Sequence, residues 1–309
     1  MQASNKPMKI FDRRAVRRHR DRVAAGLDGH DFLFGEIAER LADRLDDIKR
    51  SFPTALDLGG HGGVLGRVLQ GRGVIETLVE TDISPAMAAR AKLSGVSLPL
   101  AADEEALPFA DHSFDLVLSC FSLHWVNDLP GALIQIRRAL KPDGLLLAAL
   151  AGGGSLSELR HAWMDVEAAL EGGAGPRIAP FAELGEAAGL LQRAGFALPV
   201  ADCETLNVTY KDPLALMHDL RAMGEANAVE GRRRHFTRRE TLLAAAERYC
   251  EIYGGEDGRI PAGFEIVYLT AWAPDDSQPK PLRPGSAGLR LADALGADEQ
   301  NTGGTPGDD

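Results

Sequence analysis

Between residues 32 and 48 the apolar side chains Phe34, Ile37, Leu41, Leu45 and Ile48 recur at three- and four-residue steps, which predicts an amphipathic helix. Short apolar runs then alternate with helical patterns. Strands are expected at Thr54–Leu58, Ile75–Thr81, Ser97–Ala101, Phe114–Ser119 and Leu145–Ala149, and the alternation predicts a parallel sheet with covering helices. The helix before the fifth strand has Asp128 as N-cap, Pro130 in its first turn, and Leu133, Ile136 and Leu140 on one face. Lys141-Pro-Asp-Gly144 reads as a turn, and Ser155 with Glu158 as a capping box ahead of a helix carrying Leu159, Trp163, Val166 and Leu170.

A Gly/Pro loop over residues 172–180 and a short helix ending at Gly195 precede two further strands, at Glu204–Tyr210 and Phe264–Trp272. The organisation expected is an N-terminal helical segment (1–50), an α/β domain (51–273) with a helical insert over about 211–260, and a disordered tail (274–309) too poor in apolar residues to offset its ordering entropy.

With 309 residues and 45% hydrophobic content the chain can bury a large core. Its net charge of -11 opposes a role in gripping nucleic-acid phosphates and favours a small-molecule or protein substrate. Arginines nonetheless cluster, as Arg13, Arg14, Arg17, Arg18, Arg20 and Arg22, and again as Arg232, Arg233, Arg234, Arg238 and Arg239. These read as solvated faces, the alternative being docking to an acidic partner or an anionic membrane surface. Cys120, Cys203 and Cys250 are too few and too scattered for a disulfide framework or a zinc site. No stretch is apolar enough to span a membrane and no signal-peptide pattern opens the chain, so a cytoplasmic location is expected.

The sharpest segment is Ala55-Leu-Asp-Leu-Gly-Gly-His-Gly-Gly63, a buried strand entering a glycine turn and then a helix. Such a turn lets backbone approach a ligand closely. The glycine spacing is not that of a dinucleotide site, so a carboxylate or nucleoside is the expected ligand. One βα unit later Asp82 ends the second strand, where a carboxylate can accept both hydroxyl protons of a ribose; Asp103-Glu104 follows the third strand, within reach of an exocyclic amine. Singly, Asp82 and Asp103 read as helix caps rather than ligands.

Leu56-Asp-Leu-Gly59, Glu80-Thr-Asp-Ile-Ser84, Ala102-Asp-Glu-Glu-Ala-Leu-Pro-Phe109, Ser113-Phe-Asp-Leu-Val117 and Leu140-Lys-Pro-Asp-Gly144 resemble, in order and spacing, the motifs of class I S-adenosylmethionine methyltransferases. The resemblance covers residues 54–150. It implies an α/β, Rossmann-like, seven-stranded sheet with N-terminal helices and a helical insert before the last strand, and S-adenosylmethionine as cofactor. The cofactor-binding set it implies is Asp57, Gly59, His61, Gly63, Asp82, Ile83, Asp103, Glu104 and Ser119, with Gly59 and Gly63 at the methionine moiety, Asp82 at the ribose and Asp103 at the adenine. His61 departs from the family's glycine; it either stacks beside the cofactor or only occupies the turn.

Ser122-Leu-His-Trp-Val-Asn-Asp-Leu-Pro130, Met223-Gly-Glu-Ala-Asn227 and Leu242-Leu-Ala-Ala-Ala246 carry a narrower resemblance, running from Ile10 to Trp272, to the mitochondrial complex I assembly factors with a methyltransferase fold and their bacterial relatives. That resemblance implies hydroxylation of an arginine in the iron–sulfur subunit of complex I, a protein partner and peripheral contact with a membrane-bound complex. No His-x-Asp…His triad of the iron oxygenases is evident, and no metal site is expected. His124 and Trp125, just beyond the fourth strand, are the expected catalytic residues, core packing being the alternative for both. Glu225 and Asn227 either cap a helix or meet a guanidinium. Two other functions compete: methyl transfer to a carboxylate or acyl-carrier substrate, as in the malonyl-carrier methyltransferases, and noncatalytic chaperoning.

Overall fold

The computed structural model describes residues 9–279, apart from 73 and 96, together with 296. Most of the tail expected over 274–309 therefore lies outside the described residues. Seven strands form one sheet, β1 (Thr54–Leu58), β2 (Thr77–Asp82), β3 (Leu98–Ala101), β4 (Phe114–Cys120), β5 (Leu140–Ala151), β6 (Ala197–Tyr210) and β7 (Ile260–Trp272), in the order β3-β2-β1-β4-β5-β7-β6. The first five are parallel; β7 runs antiparallel between β5 and β6.

Helices α1 (Arg13–Val23), α2 (Phe32–Asp46), α3 (Val64–Val68), α4 (Pro85–Ser94), α5 (Leu129–Ala139), α6 (Ser157–Glu171), α7 (Leu184–Arg193), α8 (Pro213–Met223) and α9 (Arg239–Tyr253), with short 3-10 turns at Ala24–Gly26 and Leu123–Trp125, surround the sheet. The central strands β1, β4 and β5 are buried on both faces, as expected of a parallel sheet with helices on either side. One face packs Leu116, Leu118, Leu145 and Leu147 against Phe34, Ile37 and Leu41 of α2 and Trp163 of α6; the other packs Val117, Leu146 and Leu150 against Leu133 and Ile136 of α5 and Leu191 of α7. Among the described residues no helix is long and apolar enough to cross a membrane.

Several caps and turns follow the sequence. Asp128 accepts from the Gly131 N–H at 2.9 Å, and Ser84 from the Met87 N–H at 3.1 Å ahead of Pro85. Two expectations fail. The Ser155–Glu158 capping box does not form: the Ser155 hydroxyl donates to the Glu265 carbonyl at 2.9 Å, tying the loop to β7, and Leu156, at φ 54°, precedes α6 without a side-chain cap. Lys141–Gly144 is not a separate turn either. Between the pairs Phe114↔Leu140 and Leu116↔Leu145 the register shifts, so these residues bulge out of β5 with Asp143 at φ 57°.

In α1, Arg13, Val16, Arg20 and Val23 fall at steps of three, four and three, and this face turns inward onto the carboxyl ends of β2 and β3. The reading of the first arginine cluster as a solvated face therefore fails for Arg13 and Arg20, the latter only 1% exposed. Asp12 caps α1 by accepting from the Ala15 N–H at 3.0 Å.

Phe34 is fully buried, its ring stacked on His61 with centroids 4.1 Å apart and planes 13° from parallel, so α2 sets the conformation of the glycine turn after β1. Phe34→Ala should lower the unfolding free energy by about 3–5 kcal/mol, read from the midpoint of urea unfolding.

Candidate functional site

The strand order reverses between β1 and β4, and in open α/β sheets ligands collect outside the carboxyl ends of the strands at such a point. The turn after β1 is built for close backbone approach: Gly59, His61, Gly62 and Gly63 have φ of 74°, 45°, 72° and 87°. A Cβ on Gly59 would lie 2.0 Å from the Ser122 hydroxyl oxygen, so only glycine fits there.

Below this turn sit three residues of the expected cofactor set. Asp57 is fully buried beneath Gly60 with neither carboxylate oxygen hydrogen-bonded, and burial, reinforced by Glu80 and Asp82, pushes its carboxyl well above the usual range. Ser119 donates to the Leu58 carbonyl at 2.9 Å, joining β4 to β1. The His61 ring lies under Phe34 with Nε2 3.0 Å from the Phe121 carbonyl oxygen; burial, and then Arg20, lower its pKa to about 3, so the imidazole is neutral. The structure thus gives the His61 side chain to the interior, while its backbone N–H points to Asp82 Oδ2 at 3.3 Å.

Above the turn the acidic residues converge, and α1 supplies their cations. Arg20 reaches Asp82 at 3.2 Å, Glu104 at 3.5 Å and the Ser122 hydroxyl at 3.0 Å; Arg13 reaches Asp103 at 2.6 Å and pairs with Glu104. Ser122 in turn donates to Glu104 at 2.6 Å. Burial opposes ionisation of Glu104, but Arg13 and Arg20 outweigh it and hold its pKa at about 2. For Asp82 burial prevails over Arg20, and the carboxyl is shifted up. Asp82 also accepts from the Ser84 N–H at 2.8 Å, and Asp103 from the Glu105 N–H at 3.0 Å; neither is a helix cap, since Ser84 caps α4 and no helix lies between Asp103 and β4.

Two hollows flank this charge cluster. One, of about 320 Å³, is lined by Ile83, Pro85, Ala102 and Asp103 and roofed by Arg13, Arg14 and Arg17. The other, of about 560 Å³, is lined by Phe121, His124, Trp125, Trp163, Phe181 and Glu225 among others. The two expected catalytic residues therefore share a cavity wall, and both turn toward Glu225: Trp125 Nε1–H donates to its Oε2 at 2.7 Å and His124 Nε2 lies 3.2 Å from the same oxygen. The Ala151 N–H faces His124 Nδ1 at 3.5 Å, which assigns the proton of a neutral ring to Nε2. Trp125 also packs edge-on against Phe11 at 5.4 Å, so packing and polar contact coexist in one side chain.

Glu225 follows Gly224, whose φ of 88° ends α8, and Asn227 spans a loop by donating to the Pro176 carbonyl at 2.6 Å. Arg13, Arg20, Phe121 and Ser122 were not among the expected site residues. The inward face of α1, with two arginines seven residues apart among valines, was the available signal. Among the described residues no three His, Cys, Asp or Glu side chains group so as to hold a metal ion.

The family described as "Methyltransferase domain" matches residues 56–148. The arginine-hydroxylase NDUFAF5, mitochondrial, of Danio rerio is 43% identical over 294 residues, spanning 94% of this chain and 91% of that protein. A malonyl-(acyl-carrier protein) O-methyltransferase of Halorhodospira halophila is 36% identical over 266 residues, 85% of this chain and 88% of that one. Among solved structures, phosphoethanolamine N-methyltransferase 2 of Haemonchus contortus, in complex with S-adenosyl-L-methionine, superposes with a TM-score of 0.51 at 16% identity, over 84% of this chain and 60% of that chain. The seven-stranded, Rossmann-like methyltransferase fold is thereby shared.

The depressed pKa of Glu104 makes a signed prediction. Its ordinary value is 4.5 and its folded value about 2, so the stability it supplies is complete above 4.5 and is lost as pH falls from 4.5 through 2. Arg13→Met should cost about 2 kcal/mol at pH 7, and the gap from the parent protein should close across that acid window, as followed by urea midpoints at stepped pH.

Proposed function

Because this chain belongs to the methyltransferase-fold family that includes the NDUFAF5 arginine-hydroxylases, we propose that it is a protein-modifying enzyme of respiratory complex I assembly that binds S-adenosylmethionine and hydroxylates an arginine of the iron–sulfur subunit. The observation that carries this reading is the 43% identity over 294 residues, 94% of this chain and 91% of that protein, well beyond the methyltransferase domain at 56–148.

The residues around the crevice fit the adenosine half of the cofactor. Ile83 and Ala102 offer apolar surface to a base and Asp103 an acceptor to an exocyclic amine, while Asp82, buried and held by Arg20, the Ser84 N–H and the His61 N–H, would exchange those partners for a ribose diol. Arg20, whose guanidinium holds Asp82, Glu104 and the Ser122 hydroxyl, can exchange Asp82 for the carboxylate of a methionine moiety. When bound, S-adenosylmethionine supplies an electrophilic methyl group. His124, Trp125 and Glu225 then form the far wall of the site, excluding water and presenting polar atoms to a substrate side chain. Hydroxylation replaces a C–H bond by C–OH and draws on an external two-electron oxidant.

A second reading, methyl transfer to a carboxylate on a carrier protein, is favoured by the 36% identity to the malonyl-carrier methyltransferase. The decisive comparison is peptide mass spectrometry of the complex I iron–sulfur subunit from matched cells with and without the gene. One arginine should carry an added oxygen only when the gene is present; an identical subunit in both would overturn the hydroxylase reading. For the cofactor, Asp82→Asn should weaken S-adenosylmethionine binding at least about tenfold by titration calorimetry, the worth of a charged hydrogen bond. Undiminished affinity would move the cofactor elsewhere.

A further inference from the structure

The 560 Å³ cavity is lined in part by an anion, Glu225, with one oxygen unengaged. Glu225 has a side chain only 6% exposed, and both of its polar contacts fall on one oxygen: Trp125 Nε1–H and His124 Nε2–H point to Oε2. Oε1 is buried without a hydrogen-bond partner. A buried carboxylate oxygen left in this state is costly, by more than a typical net hydrogen bond contributes, unless something completes it. Burial opposes the charge, but the hydrogen bond from His124 and the positive charge of nearby Arg20 prevail and hold the Glu225 pKa at about 2, so the group is anionic at neutral pH.

The walls indicate what completes it. Trp125, His124, Phe181 and Trp163 line the cavity with flat aromatic faces, and a planar guanidinium already lies on one of them, with Arg177 Cζ 4.5 Å from the centre of the Trp163 ring. Arg221, Arg232, Arg233 and Arg234 also border the cavity, but Arg177, Arg232, Arg233 and Arg234 each already pair with a carboxylate (Glu167, Asp12, Glu171 and Glu230), whereas Oε1 of Glu225 does not. An ammonium is more strongly hydrated than a guanidinium and gains less from such walls. The same cavity approaches the charge cluster at Phe121, whose carbonyl oxygen is 3.0 Å from His61 Nε2.

We propose that Glu225 is the specificity-determining residue of this enzyme, its free Oε1 accepting the guanidinium of a substrate arginine side chain that enters the aromatic cavity. Trp125 and His124 are positioning residues in this scheme: their shared hold on Oε2 leaves Oε1 as the carboxylate oxygen without a protein partner. The inference rests on the arginine-hydroxylase reading for the identity of the substrate, while its geometry stands on the cavity.

Binding can be measured apart from turnover. Nα-acetyl-L-arginine methylamide and its citrulline counterpart, which keeps the shape but not the charge, are titrated into the full chain while tryptophan fluorescence reports on Trp125 and Trp163. The arginine probe should bind about tenfold or more tightly than the citrulline probe, and Glu225→Gln should erase the difference while Glu225→Asp restores part of it. Equal binding of the two probes by the parent protein overturns the proposal, whether or not the variants fold; so does a preference that survives in folded Glu225→Gln. Arginine selectivity without an oxygenated arginine in cells would sink the hydroxylase reading and leave the guanidinium seat standing. Full hydroxylation in cells carrying Glu225→Gln would do the reverse.

Discussion

Charge compensation in a nearly dry crevice is the constraint on which the described structure turns. Asp82 and Glu104 lie within hydrogen-bonding range of one another's partners at the carboxyl ends of β2 and β3, each about as buried as any leucine of the core. Neither could be held there ionised without a cation, because the desolvation cost of an isolated carboxylate exceeds what packing returns. Arg20 and Arg13 supply that cation from a segment far away in sequence. The position of α1, the closure over the glycine turn and the separation of the two hollows all follow from this pairing.

Most of the sheet was readable because its signal is local. Hydrophobic runs of five to seven residues bounded by glycine, proline and acidic turns fixed β1, β4 and the outer part of β7 to within a residue or two. The expectations that failed were those in which a tertiary partner outbid a local motif. Ser155 has the spacing of a cap, yet its hydroxyl is taken by the Glu265 carbonyl. Lys141–Gly144 has the composition of a turn, yet Ala273 and Gly144 hydrogen-bond at 2.8 Å and draw the segment into the sheet as a bulge.

The site divided along the same line. Asp82, Ile83, Asp103 and Glu104 sit where motif order placed them, since strand ends are set by the sheet itself. Arg20 on α1 and Glu225 in the loop that ends α8 lie outside the methyltransferase motifs, and which of many arginines and glutamates turns inward depends on how those segments dock. The second arginine cluster illustrates this. Arg232 pairs with Asp12 at 2.9 Å, Arg233 with Glu171, and Arg234 with Glu230 at 3.0 Å, while sequence alone offered five similar residues.

The placement of β7 between β5 and β6 has a consequence for how the protein is made. On a ribosome β6 emerges some fifty residues before the strand that must join it to the sheet, and until β7 arrives β5 has an open edge rich in leucine and alanine. Such an edge is a template for pairing with other chains. The long-range pairing that ends it also raises contact order and slows folding. The last strand to be synthesised is thus the one that ends the nascent chain's exposure to aggregation, and a polypeptide halted before Ile260 would present that edge to every chaperone and every neighbour it met.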